Sequence, residues 1–72
     1  MISYGIVGYG RIGQRLAARL PGAVAILKRD GSLDDFIARK PVVAIECASP
    51  QALAGYGPAI LAAGIDLVPL SL

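Results

Sequence analysis

An α/β fold on a short parallel sheet of about four strands is predicted by three observations. Short apolar runs rich in β-branched residues alternate with segments of helical periodicity, and turn residues separate them at close intervals. Three glycines at the spacing GxGxxG, Gly8, Gly10 and Gly13, fall where the first run meets the first helical segment. The β-α-β-α-β-α-β alternation places helices on the faces of a parallel sheet, and right-handed crossovers predict the spatial strand order 2-1-3-4.

Residues Ile2 to Val7 suit a buried strand. The glycine turn then passes to RIGQRLAARL, where Ile12, Leu16 and Leu20 recur at helical spacing until Pro21 and Gly22 stop the helix. Ala23 to Leu27 is a second strand, and the polar turn KRDGS leads into a short helix capped by Ser32, with Asp34 and Asp35 favourable in its first turn. Pro41 ends that helix. Val42 to Glu46 is a continuous apolar strand, as expected where both faces are covered. Ser49 can cap and Pro50 can open a third helix running to about Ala63, with Gly64 as its stop; Pro58 is expected to kink or split it. The last strand, DLVPLSL from Asp66 to Leu72, carries Pro69 and so belongs at an edge.

Seventy-two residues make a single small domain near the lower size for a self-supporting core. The chain is 56% apolar and has no histidine or tryptophan, which excludes a disordered chain and leaves few groups for acid/base chemistry. Net charge is +2, and Arg11, Arg15 and Arg19 at i, i+4, i+8 read as a solvated helix stripe, so no nucleic-acid partner is expected. The lone cysteine, Cys47, and the absence of a recognisable leader point to a reduced, cytoplasmic setting. Charged and proline residues interrupt every apolar run, so no membrane span is expected.

Nine glycines make a chance GxGxxG conceivable, and the spacing alone proves little. Its context supplies what the mechanism needs: the motif follows a strand, opens a helix and lies in a βαβ unit. It reads as the Rossmann dinucleotide fingerprint in a Rossmann-like three-layer fold, the alternative being a purely structural strand-turn-helix packing motif. Gly8 allows the tight turn, Gly10 lets a pyrophosphate approach the backbone, and Gly13 lets the helix pack against the strand, while free N–H groups and the helix dipole hold phosphate. The switch point between strands 1 and 3 brings the Gly8–Gly13 turn opposite Cys47–Pro50. The fingerprint expects an acid about 20 residues beyond its first glycine, Gly8, to bond the ribose of NAD. Lys28 and Arg29 stand there instead, which favours the 2′-phosphate of NADP(H) and leaves NAD(H) open through Asp30. Arg11 either touches phosphate or belongs to the exposed stripe; Tyr9 either covers the cofactor or packs locally.

Taken together, GIVGYGRIG, VAIECASPQAL and ILAAGIDLVPLSL resemble the amino-terminal portion of the aspartate dehydrogenase family across essentially the whole chain. Similarity to dihydrodipicolinate reductases is weaker and concerns mainly Gly8 to Gly13. The resemblance implies hydride transfer between a nicotinamide cofactor and an amino or imino acid. It also implies that Cys47, Ala48 and Ser49 line the nicotinamide-ribose side, and Ile12 is counted with the glycine-loop contacts. Cys47 is equally readable as a small buried residue, with no sign of a lowered thiol pKa. The family's second domain supplies the substrate pocket, a catalytic histidine and the subunit interface. The expectation is therefore a truncated amino-terminal portion that ends at Leu72 and is not catalytic alone. A homodimer or higher self-association through apolar helix faces is expected. The alternatives are a non-catalytic nucleotide-sensing domain, of the kind that regulates potassium transport, and a ligand-free scaffold.

Overall fold

The computed structural model describes residues 2–71. Met1 and Leu72, the last residue of the expected final strand and its proposed terminus, lie outside the described residues. Seven elements follow in the anticipated order: β1 Tyr4–Val7, α1 Arg11–Arg19, β2 Ala23–Leu27, α2 Leu33–Ala38, β3 Val43–Glu46, α3 Pro50–Ala62 and β4 Asp66–Pro69. The strands form one parallel sheet in the order β2-β1-β3-β4, the Rossmann-like arrangement predicted.

Register sorts the side chains into two faces. Gly5, Val7, Ala25, Leu27, Ala44 and Leu67 point to the side where Phe36 of α2 and Ile60 of α3 complete the main core. Gly5 is required there, because a Cβ would stand 2.5 Å from Cζ of the buried Phe36 ring. On the opposite face lie Tyr4 and Ile6, beneath α1. The Tyr4 hydroxyl donates to the Leu20 carbonyl at 2.6 Å, satisfying one of the carbonyls that a helix C-terminus leaves unpaired. This bond ties the end of α1 to the start of β1.

The helix starts are set locally. Ser32 accepts from the Asp35 N–H at 3.2 Å and Ser49 from the Ala52 N–H at 3.0 Å, caps each worth about 1 kcal/mol. Pro50 stands in the first turn of α3, and Gly64 follows the C-cap with φ +81°, a left-handed conformation natural to glycine.

Several expectations are corrected. Pro58 does not split α3, which runs unbroken from Pro50 to Ala62. Pro58 and Ala54, whose carbonyl loses its partner, are both exposed, so water meets the unmade bond. The first strand begins at Tyr4 and the third at Val43; Ile2 and Val42 remain exposed. β3 is not fully covered on both faces: Ala44 is buried, while Val43 and Ile45 are half-buried, because α1 alone serves their side of the sheet. On α1 itself Ile12 is 60% exposed and Leu20 45%, and the residue pressed into the fold is Gly13. Pro69 does lie on an edge strand. The Asp66 N–H donates to the Val42 carbonyl just before β3 and the Leu70 N–H to the Glu46 carbonyl at its end, so the alternate position occupied by Pro69 faces outward, where a donor is not needed.

Among the described residues, one charged side chain is buried. Glu46, at the end of β3, accepts from the Ala48 N–H at 2.8 Å, the Ser71 hydroxyl at 2.6 Å and the Ser71 N–H at 3.2 Å. Burial pushes its pKa up, but the hydrogen bonds from Ser71, Ala48 and Ser49 outweigh burial and hold the carboxyl below its ordinary value. A depressed folded-state pKa stabilises the fold above the ordinary carboxylate range, and that contribution is lost as pH falls through the lowered value. Thermal midpoints measured from neutral pH downward should therefore show an acid limb that is shallower in Glu46→Gln; superimposable limbs would refute the linkage.

Candidate functional site

The C-terminal ends of β1, β2 and β3 open onto a cleft of about 700 Å³. Its floor is Val7 and Leu27, and its walls are Gly8, Tyr9 and Gly10 of the glycine turn, Lys28, Arg29 and Asp30 after β2, Cys47, Ala48 and Ser49 after β3, and Ala52 and Tyr56 of α3. Ladder bonds hold the floor flat: the Gly8 N–H donates to the Leu27 carbonyl at 2.9 Å and the Cys47 N–H to the Val7 carbonyl at 2.8 Å. Ligands in open α/β sheets bind in such a crevice, at the point where the strand order reverses.

The three glycines have separate duties. Gly8 adopts φ +91°, and its absent Cβ would fall 2.6 Å from the Ala48 Cβ. Gly13 is pressed against the Gly8 carbonyl oxygen, so any side chain there would lift α1 off the turn. Gly10 is different: it is the N-cap of α1, has an ordinary negative φ, and a Cβ built on it meets nothing within 4 Å. Packing therefore requires glycine at positions 8 and 13, whereas at position 10 a side chain would enter only the open space at the cleft.

The two helix N-termini near the cleft differ electrostatically. Ser49 already accepts from α3, whereas α1 begins on Gly10 with no side-chain cap, leaving the first-turn N–H groups and the positive end of the dipole for an anion. The Gln14 side-chain amide donates to the Tyr9 carbonyl at 3.2 Å and so braces the turn. The Lys28 ammonium lies over the Tyr9 ring, 5.3 Å from its centroid, in cation–π geometry. These features fit a dinucleotide: uncapped N–H groups, side-chain-free approach at Gly10, and cations at the end of β2.

Of the residues singled out in the sequence, Gly8, Tyr9, Gly10, Lys28, Arg29, Cys47, Ala48 and Ser49 meet around this cleft. Arg11, Ile12 and Gly13 do not line it. Arg11 is exposed at the start of α1, Ile12 borders a separate shallow groove with Arg15, Leu16 and Arg19, and Gly13 lies under the turn. Cys47 is half-buried; burial and the neighbouring Glu46 charge push its thiol pKa up, the reverse of what an activated nucleophile needs. Ala52 and Tyr56 were missed. Their i, i+4 spacing was visible, but in an apolar helix only the tertiary fold reveals which face borders the cleft. Glu46 lies behind the cleft without lining it; a lone acid ending the run VVAI is the sequence signal that marks it.

Among the described residues no helix is long and apolar enough to cross a membrane, and no group of three or more His, Cys, Asp or Glu is placed to hold a metal.

Comparison with known proteins identifies the kind of domain. Residues 25–72 match the family model described as the homoserine dehydrogenase NAD-binding domain. The chain is 44% identical over 84 aligned residues to L-aspartate dehydrogenase 1 of Bordetella parapertussis, covering 93% of this chain and 33% of that protein. It is 42% identical over 78 residues to the L-aspartate dehydrogenase of Archaeoglobus fulgidus, with the same coverage of 93% and 33%. The chain thus spans about a third of the length of the curated relatives it matches. The resemblance to aspartate dehydrogenases read from the sequence is borne out, and the chain belongs to the family of homoserine dehydrogenase NAD-binding domains, as a dinucleotide-binding portion related to the aspartate dehydrogenases.

Proposed function

We propose that these 72 residues act as one dinucleotide-binding unit that holds NADP(H) in preference to NAD(H), as the amino-terminal portion of a dehydrogenase acting on an amino or imino acid. A bound nicotinamide ring supplies the hydride donor or acceptor, and a further domain supplies the substrate pocket and the acid/base histidine that this sequence lacks. The chain's own part is to bind and orient. The N–H groups opening α1 take the pyrophosphate, the cations after β2 take the 2′-phosphate, and Cys47, Ala48 and Ser49 border the nicotinamide-ribose side. Arg11 lies outside the cleft but at the uncapped helix end, where it adds positive charge for the phosphates.

The observation that carries this reading is Gly10, which packing leaves free of side-chain constraint while it caps α1 at the edge of the cleft. Gly10→Val should abolish binding of NADPH and NADH in calorimetric titration while the thermal midpoint stays near that of the unmodified chain. Unchanged affinity would mean that the ligand lies elsewhere.

Cofactor choice rests on Lys28 and Arg29, which line the cleft beside Asp30. Each charge-assisted hydrogen bond to a phosphate is worth about 1.5 to 3 kcal/mol, so Lys28→Asp should lower the NADPH-to-NADH affinity ratio by tenfold or more. An unaltered ratio in competition binding would favour the second reading, in which Asp30, on the same wall, bonds the ribose of NAD.

Self-association is also proposed, supported by Ile12 and Leu20 exposed along α1 and Leu61 along α3. Sedimentation equilibrium over a hundredfold concentration range should show dimer growing with concentration; a monomer throughout would exclude it.

A further inference from the structure

We infer that Glu46 is a positioning residue for the dinucleotide cradle: its buried carboxylate fixes the Cys47–Ser49 turn through the Ala48 N–H, and Ala48 in turn fixes the glycine turn through Gly8. The inference rests on the dinucleotide reading of the cleft and adds to it a residue that does not line the cleft.

The geometry begins with the division of the carboxylate. Oε2 accepts from the Ala48 N–H at 2.8 Å, and Oε1 accepts from the Ser71 hydroxyl at 2.6 Å and the Ser71 N–H at 3.2 Å. One side chain therefore bridges two segments that no strand ladder joins, the turn after β3 and the residues after β4. The Glu46 carbonyl also accepts from the Leu70 N–H at 3.0 Å, so the same residue anchors the end of β4 through its main chain. A buried carboxylate needs such donors to remain charged, and each of these is neutral and directional. An apolar residue would fill the last inward position of β3 equally well but would leave the turn unfixed.

The second half of the argument is the contact between turns. The β1 to β3 ladder ends with the Cys47 N–H on the Val7 carbonyl. One residue later the chain leaves the sheet, and the Ala48 N–H turns to Glu46 instead. Ala48 then abuts Gly8 so closely that a Cβ at Gly8 would lie 2.6 Å from the Ala48 Cβ and 2.9 Å from its backbone nitrogen. The Gly8 carbonyl, in turn, packs against Gly13 of α1. A continuous series of contacts thus runs from Ser71 through Glu46, Ala48 and Gly8 to the first turn of α1. Loosening the carboxylate frees Ala48 and widens the gap between the phosphate-binding turn and the nicotinamide-ribose side.

The test compares Glu46→Gln, Ser71→Ala and Ser71→Thr with the unmodified chain, using amide resonances and calorimetric titration with NADPH. Glutamine keeps the volume but presents an N–H group to one of the donors. Ser71→Ala removes a single hydroxyl at the periphery, which keeps the test open if Glu46→Gln does not fold. In folded variants the Ala48 and Gly8 amide resonances should shift together, while those of Ile6 and Ile60 stay in place. NADPH affinity should fall about tenfold in Glu46→Gln, less in Ser71→Ala, and recover in Ser71→Thr. A lower thermal midpoint with unchanged affinity, or an Ala48 shift that leaves Gly8 unmoved, would overturn the inference. Absence of NADPH and NADH binding by the unmodified chain, with the coupled amide shifts retained, would instead overturn the dinucleotide reading and leave Glu46 as the residue that positions the two turns.

Discussion

The close approach of Gly8 and Gly13 is the constraint on which the rest of the cleft depends. With hydrogen in place of a side chain at both positions, the first turn of α1 rests on the Gly8 carbonyl, and the glycine turn rests on Ala48. A methyl group at either position would separate layers that otherwise touch, and α1 would no longer aim its N-terminus at the switch point. The third glycine, Gly10, serves no packing purpose. It caps α1 at the edge of the cleft, where a side chain would enter open space, and so differs from the two glycines that packing requires.

The small size of the chain gives such contacts unusual weight. One core cluster, built from Val7, Ala25, Leu27, Phe36, Ala44, Ile60 and Ile65, lies on a single face of the sheet. The other face has α1 alone, held by the Tyr4 hydroxyl at one end and by the glycine packing at the other. Stability in a domain of this length is a small difference between large opposing terms, so one hydrogen bond at one end of a nine-residue helix and one close contact at the other are a substantial share of what fixes its position. Val24, Ile26 and Val68, each more than a third exposed, mark the parts of that face that α1 does not reach.

The electrostatics are layered around the cleft. Lys28 and Arg29 line it, and the uncapped end of α1 begins at its edge on Gly10, so its border carries positive charge. The Glu46 carboxylate, buried behind the β3 turn, is satisfied by hydrogen bonds within the chain. Burial, and after it the Glu46 charge, push the Cys47 thiol pKa up, which keeps this thiol protonated at the edge of the cleft. Positive charge is thus kept at the cleft and negative charge behind it.

The sequence by itself determined the order of elements, the strand order, the caps at Ser32 and Ser49 and the edge position of β4. Each follows from local chemistry: a periodicity, a side-chain oxygen beside free N–H groups, or a proline without a donor. It also identified most of the cleft, because the switch point of a parallel sheet fixes which loops meet. It did not determine that α3 would pass through Pro58, since the cost depends on whether the orphaned Ala54 carbonyl faces water. Nor did it show that Ile12 would face solvent while Gly13 was buried, because helical spacing marks an apolar stripe and the depth of contact is set by what approaches it. Tyr56 and Glu46 emerged only in three dimensions. The first depends on the rotation of α3 over the sheet, and the second on Ser71, 25 residues away in sequence, reaching the same carboxylate. Local signals carry information over one turn or one strand, and contacts between distant segments require the packed chain.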